Sequence, residues 1–286
     1  MQPSAAERPR WWQWPTILSL DAPVVVVLWQ WILAGAASVA LGVPEAVVLG
    51  CSVWLAYAAD RWIEACRLAP ESIRTHRHRF HQRWRWPVFA AWAIVLGLDL
   101  CTAFRWLPPS ELLAGAWVLV PVAAYLLSHQ LVHRRSRWRA PKELCVAALL
   151  AGGAAVFIVC LPAADVGRMA IPLVLFALLC FSNCALISVW EDEVDRSQGQ
   201  TSLALQLGRA AAILGSLPWA VALLCAAARL LAGRGAGTAS LCGVASAVLL
   251  GLVGLAEPRI GRVRARVLAD VALMTPVVPL LARLIG

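Results

Sequence analysis

The sequence predicts an all-helical, polytopic membrane protein with about nine transmembrane helices, and three observations lead there. Hydrophobic residues make up 61% of the chain, charged residues only 14%, and the mean hydropathy is +0.73. A soluble domain carries roughly 25% charged residues. The apolar residues also gather into stretches of about 20, the length that crosses a bilayer as helix. Finally, Lys and Arg alternate between dense and sparse in the segments that separate those stretches.

In chain order, the apolar stretches lie near 18–42, 44–60, 88–107, 110–132, 144–162, 169–190, 209–232, 236–256 and 265–285. The first ten residues are polar, and no small-residue cleavage site follows the first stretch, so it is expected to stay as the first helix. Basic residues then mark every second connection: Arg8 and Arg10, the segment from Arg61 to Arg85, "HRRSRWRAPK" from His133, Arg196 with Arg209, and Arg259 to Arg266. The other side has only Arg105, Arg168, Arg229, Arg234 and Arg283 of the 25 Lys and Arg. Short loops rich in these residues stay cytoplasmic. The expected location is therefore a cell inner (plasma) membrane, crossed many times, with about 15 cytoplasmic N-terminal residues and both acidic clusters facing the cytoplasm.

The net charge of +9 does not imply nucleic-acid binding, because the basic residues cap membrane helices and match an anionic inner leaflet. Nine cysteines lie mostly within apolar spans with no C-x-x-C pair, and they read as small core residues. Most of the 15 Trp sit near helix ends, as interfacial belt residues do, and none is assigned to catalysis.

Acids end two of the predicted helices. The second helix runs into "YAADRWIEACR", with Asp60 and Glu64, and the sixth into "EDEVD", with Glu191 and Asp195. Residues four apart share a helix face, about 6 Å from each other. Like charges so placed repel, and at a membrane edge they are also partly desolvated. Two readings stand. The pairs are solvated helix ends balanced by Arg61, Arg67 and Arg196, or they face one another as a site for Mg²⁺, which suits carboxylates, water and substrate phosphate oxygens. Tyr57 lies on the face of Asp60, one turn earlier. Asp21 and Asp270, just inside the ends of the first and last helices, are either functional intramembrane acids or helix-end caps. The histidines of "HRHRFH" (His76, His78, His81) read as part of a basic loop, and His129 with His133 as a helix end. The glycines of "GQTSLALQLG" lack a P-loop Lys and are expected to shape the turn into the seventh helix.

The stretch "DEVDRSQGQTSLALQLG" resembles the second aspartate-rich motif of the UbiA superfamily of intramembrane prenyltransferases, with Asp195, Arg196, Gly199, Ser202, Leu203 and Gly208 in the motif places. The first motif of that family is similar to Ala56, Asp60 and Glu64, with Ala where Asn is usual and Glu where Asp is usual. The resemblance covers nearly the whole chain and implies one integral-membrane domain over 1–286. It implies that Asp60, Glu64, Glu191 and Asp195 are catalytic and hold Mg²⁺, with Asp192 the alternative to Glu191. Arg61, Lys142 (the single lysine), Tyr57 and Arg196 are then substrate-binding, with Arg134 and Arg135 behind them; Arg61 and Lys142 read equally as inside-positive anchors, and for Arg134 and Arg135 that reading is the favoured one. Asn183 either replaces the missing amide ligand or bonds across helices as a buried amide. The implied partners are an isoprenoid diphosphate, a lipophilic acceptor and the lipid bilayer. The implied reaction is Mg²⁺-dependent prenyl transfer through an allylic cation, and the "HRHRFH" loop would cover the diphosphate. The alternatives are a terpene cyclase on the same fold and a non-catalytic lipid-binding or transport protein.

Overall fold

The structure is a computed structural model, and it describes residues 9–67, 75–128, 141–197, 199, 201–231 and 237–285. Among these residues every regular element is a helix. A 3₁₀ turn at Trp11–Gln13 leads into α1 (Trp14–Ile17) and α2 (Asp21–Ala36), followed by α3 (Val43–Arg67), α4 (His76–Arg83), α5 (Arg85–Trp106) and α6 (Pro109–Leu127). The second half holds α7 (Lys142–Ala155), α8 (Val166–Trp190), α9 (Asp192–Ser197), α10 (Leu203–Leu207), α11 (Leu217–Leu231), α12 (Gly237–Ile260), α13 (Arg262–Ala272) and α14 (Val277–Ile285).

Six stretches are long and apolar enough to cross a membrane: α3, α5, α6, α8, α10 together with α11, and α12. Two bent pairs, α1 with α2 at 74° and α13 with α14 at 43°, raise the number to eight. The multi-pass membrane architecture is therefore present, but nine spans are not reached among the described residues. The expected span at 144–162 is occupied by α7, whose 14 residues rise only about 21 Å before a 3₁₀ turn at Ile158–Cys160.

Helix α7 is short because it is an internal element. Its buried face is built from Ala147, Ala151, Gly153 and Ala154, small residues that let α2 and α8 approach closely. The core forms where α2, α7, α8 and α12 meet, around Trp29, Leu33, Phe176, Leu179 and Leu250. Trp29 stacks on Phe176 with ring centroids 4.9 Å apart. Its indole N–H donates to the carbonyl of Leu273 at 2.9 Å. That bond satisfies a backbone acceptor at the break between α13 and α14, where the helix ladder is interrupted.

The periphery has a different character. Half of the apolar window of α8 is buried, against 11% for α5 and 6% for α6, so the last two present Ile94, Leu98, Phe104, Leu113 and Trp117 outward. In water such faces would be a liability; against lipid tails they are the ordinary surface. Helices α11 and α12 are joined by glycine contacts two turns apart. A Cβ on Gly243 would lie 2.7 Å from Cys225 Sγ, and one on Gly251 2.7 Å from the Trp219 ring.

Candidate active site

The acid-bearing helix ends converge on one cavity of about 210 Å³. Helix α3 supplies Tyr57, Asp60, Arg61 and Glu64. Glu191 follows α8 and Asp195 lies on α9, while Lys142 and Glu143 open α7. Arg77 reaches in from α4, Tyr125 from α6, Asn183 from α8, Asp21 from α2, and Arg266 and Asp270 from α13. Asp60 and Glu64 thus share a cavity with Glu191 and Asp195, although some 130 residues separate the two pairs. Asp192 and Arg196 lie outside its wall, and Arg196 is exposed. Arg134, Arg135, His129 and His133 lie outside the described residues.

The local turns that carry this arrangement follow from the glycines of the second motif. Gly199 has φ +66° and its N–H bonds to the Arg196 carbonyl at 3.2 Å, closing the turn after α9. Gly208, at φ +54° and ψ −119°, ends α10 in a conformation that side chains disfavour. Between them Ser202 is the N-cap residue of α10, and the N–H of Leu203 donates to Glu143 Oε1 at 3.1 Å. Glu143, only 2% exposed, therefore ties the second motif to the start of α7.

Within the cavity Glu191 and Asp195 each meet a cation, and Glu64 meets a histidine. Glu191 accepts from Arg77 at 3.1 Å through Oε2 and from Arg266 through Oε1. Burial works to raise its carboxyl, but Arg266 and Arg77 outweigh it and hold Glu191 well below the usual carboxylate range. Burial, joined by repulsion from Arg266, brings the Arg77 guanidinium down to about 10. Asp195, 4% exposed, faces Lys142 Nζ at 3.5 Å. His78 Nε2 lies 3.0 Å from Glu64 Oε2, and its Nδ1 2.9 Å from Thr75 Oγ1. Burial pushes the His78 ring below its ordinary value against the pull of Glu64. The neutral ring is satisfied when Nε2–H donates to the carboxylate and Nδ1 accepts from the hydroxyl.

Several of these residues were beyond the sequence reading. Glu143, Tyr125 and Arg266 join the site with one weak signal, that Arg266 precedes Asp270 by one helical turn, whereas Arg77 and His78 belong to the "HRHRFH" stretch expected as a loop over the diphosphate, which is instead helix α4. Asn183 makes the cross-helix bond, one of the two roles expected as alternatives. Its amide N–H donates to Asp270 Oδ1 at 3.0 Å, bridging α8 to α13, while Oδ1 is buried without a hydrogen-bond partner among the described residues. Ala56, in place of the usual Asn, lines a second cavity instead.

Three guanidiniums around the polar cavity have spare donors. Arg61 Nε, Arg77 Nε and Nη1, and Arg266 Nε are buried without an acceptor among the described residues. Buried donors left unmade are costly, and planar N–H forks of this kind suit phosphate oxygens. For a divalent cation the donor chemistry also fits, because seven carboxyl-bearing residues line the wall against four permanent cations. No three His, Cys, Asp or Glu come close enough to form a metal group by themselves among the described residues.

The second cavity, about 570 Å³, runs on from the first. Tyr57, Asp60, Tyr125, Val146 and Leu150 belong to both walls, and beyond them the lining is mostly apolar side chains of α3, α5, α6 and α7, interrupted by Ser52, Asp99 and Glu111. A polar chamber opening onto an apolar one suits a ligand with a charged head and a hydrocarbon tail.

The chain was compared with known proteins. An apo structure of a UbiA homolog from Aeropyrum pernix K1 superposes with a TM-score of 0.65 over 93% of this chain and 98% of that one. The chain has the UbiA fold. At 18% identity the likeness extends to architecture and not to activity. No family model matches the sequence, and no curated protein matches it. The UbiA fold thus agrees with the motif resemblance, which was carried by "DEVDRSQGQTSLALQLG" and by the acids of α3.

Proposed function

We propose that this UbiA-fold protein transfers a prenyl group from an isoprenoid diphosphate to a lipophilic acceptor, such as an aromatic ring, in a Mg²⁺-dependent reaction at the acid-lined cavity. The observation that carries the proposal is the junction of two cavities. Unpartnered guanidinium donors and carboxylates surround one end, and an apolar chamber of about 570 Å³ leads away from it.

Arg61, Arg77 and Arg266 bind diphosphate oxygens with their spare N–H groups, and Lys142 adds a mobile positive charge. Asp60 and Asp195, with Glu64 and Glu191, are the residues that would hold Mg²⁺, which when bound supplies neutralisation of the diphosphate charge. The carbon–oxygen bond then breaks, the electron pair leaves with diphosphate, and an allylic cation remains in the apolar chamber. Tyr57 and Tyr125 stand at the junction, where their ring faces stabilise that cation and the chamber wall excludes water.

A second reading has one observation on its side. Glu64 and Glu191 are already paired with His78, Arg77 and Arg266, as in a site that has lost its cation and binds lipid without turnover. One assay separates the two. Purified protein in detergent is incubated with geranyl, farnesyl and geranylgeranyl diphosphates, with and without Mg²⁺ and a panel of aromatic acceptors, while diphosphate release and extracted products are measured. Release that requires both Mg²⁺ and acceptor is the expected result. Cyclic hydrocarbon formed without acceptor would assign a terpene cyclase. Binding without release under any condition would favour the non-catalytic protein.

A further inference from the structure

The apolar chamber holds two acids that prenyl transfer does not use. On α3, the Ser52 hydroxyl donates to Asp99 Oδ2 on α5 at 2.9 Å. Asp99 is 7% exposed, and its second oxygen, Oδ1, is buried with no hydrogen-bond partner among the described residues. Glu111, near the start of α6, is 2% exposed with Oε2 likewise unpartnered. Both carboxyls line the same chamber, among Leu49, Ala103 and Leu119.

A carboxyl surrounded by hydrocarbon is expensive and marks function by default. An interhelical bond between α3 and α5 accounts for the Ser52 donation. It leaves unexplained the open Asp99 oxygen and the second open carboxyl in the same wall. Both are explained by a ligand that brings hydrogen-bond donors into the chamber.

We propose that the chamber selects a lipid chain bearing a hydroxyl group, whose O–H donates a hydrogen bond to Asp99 Oδ1 beside Ser52. The proposal rests on the polar cavity being the diphosphate end. From Asp60 to Ser52 is eight residues of α3, an axial distance of about 12 Å. The hydroxyl therefore belongs well along the chain from the diphosphate, and Glu111 takes a donor on longer chains.

The test uses the full-length protein in detergent and matched pairs of probes. These are geranyl, farnesyl and geranylgeranyl diphosphates and their counterparts hydroxylated at the far end of the chain. Equilibrium binding of each pair gives a ratio. At one chain length the hydroxylated probe should bind about tenfold more tightly, the scale of one well-made hydrogen bond. Asp99→Val should erase that ratio, and Asp99→Asn, which keeps an acceptor oxygen, should retain most of it. A purely structural Asp99 would lower thermal stability in both variants without changing the ratio. Equal binding of every pair by the wild-type protein overturns the proposal, and so does an unchanged ratio in Asp99→Val. If Asp99→Val does not fold, the wild-type ratios decide alone. If no diphosphate binds, the reading of the polar cavity fails instead, and the chamber is then tested with farnesene against the same hydrocarbon hydroxylated at its far end. Preference for the alcohol supports the proposal, and equal binding sinks it.

Discussion

His78 is held by its neighbours on both ring nitrogens, with Thr75 on one side and Glu64 on the other, and is only 1% exposed. A basic stretch such as "HRHRFH" gives no reason to single it out, and the sequence reading expects little from its loss. The partner lies 14 residues earlier, on a different helix. Replacing the ring by Ala takes from the half-buried Glu64 carboxylate the hydrogen bond that this ring supplies, a change that is costly whether or not Glu64 binds a cation. The prediction is that His78→Ala lowers diphosphate release at least about tenfold, while His78→Gln, whose amide N–H can replace Nε2–H, keeps most of the activity. Equal losses in the two variants would show that the ring contributes something other than this hydrogen bond. For two of the acids proposed to hold Mg²⁺, Asp60→Asn and Asp195→Asn should each cut turnover by about 100-fold or more with the unfolding temperature nearly unchanged. Full activity in either would remove that residue from the site.

Among the elements, helix positions were legible and helix breaks were not. Runs of about 20 apolar residues announce themselves, so α3, α5, α6, α8 and α12 fall close to where the sequence puts them. The breaks at α1 to α2 and α13 to α14 depend on tertiary partners such as the Trp29 bond to Leu273, which no local pattern encodes. The α11 to α12 contact is similar. Gly251 and Gly97 look alike in sequence, yet a Cβ at Gly251 would meet Trp219 at 2.7 Å, whereas one at Gly97 meets nothing within 4 Å. Gly251→Ala should therefore destabilise the protein by about 1–3 kcal/mol, and Gly97→Ala should be neutral or slightly stabilising. Thermal unfolding in detergent compares them directly, and equal effects would refute the close packing. Helix α4 adds a pH dependence. Burial, joined by repulsion from Arg61 and opposed by a bond to the Arg77 carbonyl, pushes the His81 ring from an ordinary 6.5 down to about 4. As pH falls across that window only the unfolded chain takes up the proton, so stability must fall with it. In His81→Gln the slope of unfolding temperature between pH 6.5 and pH 4 should flatten. An unchanged slope would mean that other groups carry it.

At the scale of the whole molecule, the sequence showed the acids and hid the cavity. Asp60, Glu64, Glu191 and Asp195 could be paired because each pair is local, four residues apart on a helix. Asp195 meets Lys142 of α7, whereas the cations that face Glu191 come from α4 and α13, nearly 190 residues apart, and only the folded bundle brings Arg77 and Arg266 onto it. The apolar chamber was equally hidden, since its wall is assembled from four helices and most of its lining residues look like any membrane-facing ones. The chamber nevertheless makes a prediction that depends on the assembled molecule. Gly115 on α6 lines it, and a Cβ there meets nothing within 4 Å. Gly115→Leu should fold normally, because its side chain enters empty space. It should also shorten the room left for a tail. If the chamber holds the isoprenoid, turnover or binding of geranylgeranyl diphosphate should fall about tenfold or more, on the scale of excluding one or two hydrocarbon groups, while geranyl diphosphate is nearly unaffected. The ratio of kcat/KM values for the two chains, or of their Kd values where turnover is slow, measures the effect without reference to total activity. A parallel loss for both chain lengths would place the tail elsewhere, between the outer faces of α5 and α6 and the surrounding lipid.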